Sequence, residues 1–292
     1  MFKKICVIGV GLIGGSIAKA ARCQNLAKTI VGFGRLDDVE NLQMAKSLNV
    51  IDSFHTNIEI AVFEADCVII ATPVAATESI LKMLKPFWSK QAIYFDVGST
   101  KGNVIAAAEA VFGEVPVNFI PAHPIAGAEQ SGVQAAKADL FLNKRVIVTP
   151  LPTNSAQSLQ DVWHFWQNMG ALVTMMTMEE HDNVLAATSH LPHLLAFALV
   201  DMLGQRDEKE EIFKYAAGGF RDFTRIASSD PTMWTAICEA NKMELLPLLE
   251  QFKTELSKIQ TLMESNDYTK LSELFFYANE ARQRFLTQTT NS

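Results

Sequence analysis

Apolar positions in the first half of the chain fall into two alternating patterns. Short runs rich in β-branched residues, at Lys4–Ile8, Thr29–Phe33, Cys67–Ala71, Ala92–Val97, Val117–Pro121 and Arg145–Thr149, read as buried strands. Between them, Leu12–Gln24, Val39–Leu48, Ala75–Leu84 and Gly102–Phe112 have helical period and length. Strand–helix alternation of this kind predicts a parallel sheet with helices on both faces. After Thr149 the pattern changes. Pro150-Leu151-Pro152 breaks the chain, Asn154 or Ser155 is placed to cap a helix to Asn168, and Ala171–Met176 reads as one last strand. Beyond Met178 almost everything has helical period, with a start signal at Ser229-Asp230-Pro231, a capping side chain followed by proline at the first helical position. The division therefore falls near residue 177, between an α/β domain (1–177) and an all-α domain (178–292).

Within the second domain, Val184 to Leu203 is long and apolar enough to suggest a membrane span. It carries His190, Pro192, His193 and Asp201, which makes a buried helix the better reading. One small bundle would struggle to cover such a helix, so a homodimer through the helical domain is expected.

The first strand runs into Gly9-Val10-Gly11-Leu12-Ile13-Gly14, a GxGxxG placed between a strand and a helix, with a second strand about 15 residues on. That context turns a weak motif into a dinucleotide-binding, Rossmann-type loop. Gly9 makes the tight turn, Gly11 lets the backbone approach a pyrophosphate, and Gly14 lets the helix pack closely, leaving helix N–H groups for the diphosphate. At the end of the second strand, where an acidic residue would bind the ribose 2′-OH, the chain has Gly34-Arg35, with Asp37 and Asp38 following. A missing acid followed by Arg tilts the reading slightly from NAD to NADP. The alternative is that Arg35 stacks on adenine while Asp37 or Asp38 reaches the ribose. Thr72-Pro73, after the strand ending at Ala71, is expected along the cofactor.

Composition narrows the classes. Over 292 residues, 49% hydrophobic and 20% charged residues describe an ordinary folded protein. A net charge of −7 argues against a nucleic-acid partner but permits an anionic substrate held by one or two Arg residues. Cys6, Cys23, Cys67 and Cys238 form neither a CxxC nor a Cys/His cluster, so no metal site is expected. Free thiols and an N-terminus, Met1-Phe2-Lys3-Lys4, that leads straight into a strand fit a cytoplasmic protein without a signal peptide.

Polar residues gather in four further segments: Asp96–Lys101 (DVGSTK), Ala122–Gly127 (AHPIAG), Ser189–His193 (SHLPH) and Gly218–Ala227 (GGFRDFTRIA), the last followed by Ser229–Trp234 (SDPTMW). Each has a bland reading. Ser99 would serve as a helix cap, a histidine at a strand end is commonly structural, His190 and His193 share a helical face, and Arg225 would pair with Asp222.

In this order, however, the segments resemble the prephenate/arogenate dehydrogenase family of tyrosine biosynthesis, over nearly the whole chain. The resemblance implies oxidative decarboxylation of prephenate or arogenate with hydride transfer to NAD or NADP. It makes His123 the catalytic histidine and puts Ser99 between it and the nicotinamide. His193 and Arg225 match substrate-binding positions, and Gly219, Asp222 and Trp234 supporting ones, with His190 behind them. Ala128 stands where a hydroxyl residue would follow HPIAG, so Glu129 or Ser131 is expected to supply that hydrogen bond. The chemistry suits these residue types. A neutral imidazole serves as base for the ring hydroxyl, with Ser99 fixing its tautomer, and Arg225 forks onto a carboxylate as Lys would not. Two rivals remain: a β-hydroxyacid dehydrogenase, though neither SHLPH nor GGFRDF holds the lysine such enzymes use, and a non-catalytic NADP-binding sensor.

Overall fold

A computed structural model describes residues 2–128, 130–206 and 211–290. The chain divides into two compact units, Met1–Lys242 and Met243–Ser292. In the first, strands β1 (Phe2–Ile8), β2 (Ala27–Phe33), β3 (Ser53–His55), β4 (Cys67–Ile70) and β5 (Ile93–Asp96) form a wholly parallel sheet in the order β3-β2-β1-β4-β5. Period-2 geometry sorts their side chains. Ile5, Val7, Ile69 and Phe95 face one core, together with Ile17 and Ala21 of helix α1 (Leu12–Cys23). Cys6, Ile8, Val68 and Tyr94 face the other, against helices α3 (Ile58–Val62), α4 (Thr77–Leu84) and α5 (Gly102–Phe112), while Leu42 and Ala45 of α2 (Val39–Ser47) lie in the first core. Burial on both faces explains why these strands read as continuous apolar runs.

A second sheet has the order β6-β7-β8, from Ala122–Pro124, Arg145–Val148 and Leu172–Met175, with β6 antiparallel to β7 and β7 parallel to β8. Helix α6 (Ala156–Asn168), capped by the Ser155 side chain, adds Val162, Phe165 and Trp166 to the first core.

Two expectations are corrected here. The run Val117–Pro121 is not a ladder strand. Val117 is exposed, and the segment meets β5 at one isolated bridge, Phe119 to Tyr94, with the Tyr94 N–H donating to the Asn118 carbonyl and the Ile120 N–H to the Tyr94 carbonyl. Pro116 and Pro121 lack N–H groups, and the regular strand begins one residue after the second of them. The short edge strand β3 and the single-turn helix α3, capped by Asn57, fall in a stretch where no element was expected.

Helix α7 (Met178–Leu185) opens with a complete Thr177/Glu180 capping box. A π-helical turn, Ala186–His190, joins it to α8 (Leu191–Gly204), which begins Leu191-Pro192. Together these make one helical run, Met178–Gly204, long enough to cross a membrane and containing an 18-residue stretch of mean hydropathy 1.4, yet only 22% of that stretch is buried in a single chain. The expected buried helix is thus largely uncovered, and Ala196 is the one buried residue of α8. Short helices α9 (Glu211–Lys214) and α10 (Gly218–Thr224) follow, then α11 (Pro231–Ala240), started by Asp230 as foreseen. Trp234 and Ile237 of α11 pack on Val74, after β4. The second unit holds most of α12 (Lys242–Glu264) and all of α13 (Tyr268–Thr290).

Candidate active site

The strand order reverses between β1 and β4, so their carboxyl ends open a crevice where the glycine loop lies. Gly9 has φ +89°, and a Cβ there would sit 2.7 Å from the Ala71 carbonyl oxygen. A Cβ on Gly14 would lie 2.1 Å from the Gly9 oxygen, so α1 is packed hard onto the loop. Gly11 differs from both. It is the N-cap of α1 with no side-chain cap, and nothing lies within 4 Å of its missing Cβ. The first N–H groups of α1, at Leu12 and Ile13, therefore lack a capping side chain, in a helix with no acidic residue in its first turn. Thr72 Oγ1 is buried without a partner beside this loop, and Pro73 follows it at the surface. An open cradle and an orphaned hydroxyl fit a dinucleotide diphosphate.

At the end of β2, Arg35 pairs with Asp37 at 3.2 Å, both largely exposed. Asp38 occupies the place next to Gly34, its Oδ2 2.8 Å from where a Cβ would be. Partial burial, followed by the charge of Asp37, raises its carboxyl above the usual range despite the Asn41 hydrogen bond and Arg35.

His123 is central to β6, opposite Ile147, and mostly buried with one edge exposed to solvent. Its Nδ1 lies 2.9 Å from Nε2 of His181, which is fully buried on α7. Nδ1 of His181 is in turn 2.8 Å from Asp182 Oδ1. Asp182 also accepts the backbone N–H groups of Lys101 at 2.8 Å and Gly102 at 2.7 Å, at the start of α5. Burial alone would raise its carboxyl pKa, but the bonds from His181, Gly102 and Lys101 outweigh it and hold the group below the usual range. Burial pushes His123 well below the ordinary imidazole value, helped by His181 and the Lys101 ammonium, and burial likewise lowers His181.

A second arrangement stands beside this one. Asn241 Nδ2 donates to the Asp182 carbonyl at 2.8 Å and to His190 Nδ1 at 3.0 Å. His190 therefore carries its proton on Nε2, which is buried, lacks a full hydrogen bond and interacts with the backbone of Ser99. Burial takes its pKa to about 4. His193 donates from Nδ1 to the Ser189 carbonyl at 2.9 Å and stacks on Trp234 with ring centroids 3.6 Å apart. Burial lowers its pKa against the Ser189 bond, and the charge of Arg225 lowers it further; Arg225 opens the turn Arg225–Ser228, which packs on α8.

The expected residues thus fall into groups. Ser99, His123, His190, His193, Trp234 and Arg225 lie around one region. Gly219 and Asp222 are on the exposed helix α10. Ser131 is elsewhere: with Glu40, Asn41 and Met44 it lines a cleft of about 340 Å³, because Asn41 holds the Val133 N–H and draws that loop onto α2. Glu129 lies outside the described residues. The ring that meets His123 Nδ1 is His181. His181, Asp182, Lys101 and Asn241 went unassigned in the sequence. The signal was there in Glu179-Glu180-His181-Asp182, but charged residues in a first helical turn read as ordinary capping.

Comparison with known proteins places this architecture. Residues 17–175 match the model of the prephenate dehydrogenase nucleotide-binding domain, and residues 177–276 that of the prephenate dehydrogenase dimerization domain. The chain belongs to the prephenate dehydrogenase family. A cyclohexadienyl dehydrogenase of Zymomonas mobilis is 37% identical over 97% of this chain and 96% of its own length. A prephenate dehydrogenase of Bacillus subtilis is 38% identical over 95% of the chain and 75% of its own length. Among solved structures, prephenate dehydrogenase from Aquifex aeolicus, in complex with hydroxyphenyl propionate and NAD+, superposes with a TM-score of 0.90 at 34% identity, covering 98% of this chain and 99% of that one. Arogenate dehydrogenase from Synechocystis gives 0.79 at 26% identity, over 97% and 99%. As in its family, the chain is a nicotinamide-dependent oxidoreductase with a parallel-sheet nucleotide-binding domain and a helical dimerisation domain.

Proposed function

We propose that this protein catalyses the NAD-linked oxidative decarboxylation of prephenate, or of its amino counterpart arogenate, to 4-hydroxyphenylpyruvate or tyrosine, as a step of tyrosine biosynthesis in the cytoplasm. The observation that carries this reading is His123, partly exposed with its Nδ1 engaged by a buried partner, so that Nε2 is the nitrogen left for a substrate. His123 takes the ring hydroxyl proton, and Arg225 beside His193 binds a substrate carboxylate. When bound, the nicotinamide supplies the hydride acceptor. Loss of CO2 then leaves an aromatic ring, which draws the reaction forward. Gly9, Gly11, Gly14 and Thr72 would hold the dinucleotide, with Ser99 on the nicotinamide side. The functional division is drawn at residue 177, with dinucleotide binding in 1–177 and substrate binding and dimerisation in 178–292.

NAD is preferred over NADP in this reading. Arg35 is the cation a 2′-phosphate would need, but it faces Asp37 and lies within the field of Asp38, leaving this edge net negative. Asp38, tucked against Gly34, is the carboxylate available to a ribose 2′-OH. A second copy of the chain is the cover we assign to the exposed apolar face of α8.

The test is the absorbance of reduced nicotinamide with prephenate or arogenate and NAD or NADP. Signal with NAD and either ring substrate supports the reading. None in any combination, from folded protein that binds dinucleotide, discards it.

A further inference from the structure

We propose that His181, held by Asp182, is the positioning residue that fixes the tautomer of His123 and receives the positive charge arising when His123 takes a proton. The proposal rests on the reading of His123 as the base. It follows from counting protons along one chain of contacts.

Asp182 accepts two backbone N–H groups at the start of α5, at 2.8 and 2.7 Å. An ionised carboxylate only accepts, so the 2.8 Å contact with His181 must be a donation from His181 Nδ1. A neutral imidazole has one N–H, so His181 Nε2 presents a lone pair. The 2.9 Å contact with His123 then requires the proton of His123 on Nδ1. His123 Nε2 is left with the lone pair that a base requires.

The same geometry gives the charge a route. The substrate O–H bond breaks and an N–H bond forms at His123 Nε2. The Nδ1 proton of His123 passes to His181 Nε2, so His123 ends neutral with its proton on Nε2. His181 becomes the cation, its Nδ1–H bonded to the Asp182 carboxylate. One proton enters, one shifts, and the charge rests one ring further from the substrate, against an anion. When CO2 leaves, the ring oxygen takes the proton back from His123 Nε2 and the Nδ1 proton returns from His181, so both rings resume their starting forms and no proton is released overall. The Lys101 ammonium opposes charge on both rings, but only His181 has the Asp182 carboxylate bonded to it to offset that charge. Neighbouring contacts keep the chain in register. Asn241 ties the Asp182 carbonyl to His190, and Gly102 leaves room for the carboxylate, whose Oδ2 lies 3.0 Å from where a Cβ would be.

The experiment uses the full-length protein with 15N-labelled histidine, to read the tautomer of His123, and steady-state kinetics across pH for the parent, His181→Phe and His181→Gln. The parent is expected to show His123 protonated on Nδ1. His181→Phe removes the acceptor, so kcat falls roughly 10²-fold while KM for the ring substrate stays within about 3-fold, and His123 leaves the Nδ1–H form. Gln at 181 offers an amide oxygen in place of Nε2, so it restores the tautomer and part of kcat but takes up no charge. A parent His123 protonated on Nε2 overturns the proposal whether or not either variant folds. So does a folded His181→Phe enzyme with the parent's kcat. If the parent turns over neither ring substrate, the functional reading fails instead, and the tautomer measurement still judges the geometry.

Discussion

Lys101 and Asp96 form an ion pair with side chains 0% and 3% exposed, across the turn that carries Ser99. The ammonium also donates to the Ala122 carbonyl at 2.7 Å, and Asp96 accepts the N–H groups of Gly98 at 2.8 Å and Ala122 at 3.3 Å. The pair therefore binds the end of β5 to β6 one residue before His123. Removing one partner strands the other charge without water. Lys101→Met is expected to cost about 3–5 kcal/mol in urea unfolding. A cost below about 1 kcal/mol would mean that Asp96 is not charged in the folded protein.

The glycine loop separates folding from binding. At Gly14 a Cβ meets the Gly9 oxygen at 2.1 Å, so Gly14→Ala is expected to lower the melting temperature and dinucleotide affinity together. At Gly11 a Cβ meets nothing, so Gly11→Ala should melt like the parent while binding NAD at least about 10-fold more weakly. Titration of protein fluorescence with NAD checks both. Parent-like affinity in Gly11→Ala would move the diphosphate away from this helix.

Cofactor choice is tested at the end of β2. Asp38→Ser removes the carboxylate beside Gly34 and frees Arg35 from one of its two acidic neighbours. The ratio of kcat/KM for NADP to that for NAD is expected to rise roughly 10-fold or more. An unchanged ratio would return the ribose contact to Asp37 or to the backbone.

Base and anchor should separate kinetically. His123→Asn is expected to lower kcat by about 10²–10⁴-fold with substrate binding largely kept. Arg225→Ala should act mainly through KM, because a carboxylate contact is made in ground and transition states alike. A near-normal kcat in His123→Asn, or an effect of Arg225→Ala confined to kcat, would contradict the assignments.

What could be read from the chain, and what could not, follows from how local each signal is. The parallel sheet was legible because strands buried on both faces read as unbroken apolar runs, and α5, Gly102–Phe112, emerged with its bounds intact. The glycine loop and the Asp230 cap are likewise written in consecutive residues. β3 escaped because three half-buried edge residues carry too little pattern. The Asp182–His181–His123 chain escaped because its partners are 58 residues apart and meet only when α7 packs beside β6. The place of Ser131 was hidden for a related reason: sequence proximity to HPIAG says nothing about the Asn41 contact that draws its loop onto α2. For the apolar face of α8 the sequence raised both the problem of burial and a second chain as its cover, since a single chain does not contain the solution.

Burial of neutral histidines should make the protein sensitive to acid. His190 has its pKa pushed down from 6.5 to about 4, and burial also lowers His123, His181 and His193. In the unfolded chain each titrates near 6.5, so below that pH the unfolded state holds protons that the folded state refuses, for His190 down to about 4. Stability therefore rises with pH across this window and falls on acidification, by up to about 1.4 kcal/mol per pH unit for each histidine kept neutral. His190 alone accounts for about 3 kcal/mol across its window. Asp182 works in the opposite range. Its lowered carboxyl pKa gives stability that is complete above 3.8 and lost only as the pH drops through the lower folded value, beneath the histidine window. Urea midpoints measured from about pH 8 to about pH 5 are expected to be level at first and to fall steadily below about 6.5. His190→Gln, which has no proton to refuse, should flatten that slope by one proton's worth. A midpoint that holds level to about pH 5 would show that the fold accepts charge on these rings, and with it that their neutrality is not what sets up the base.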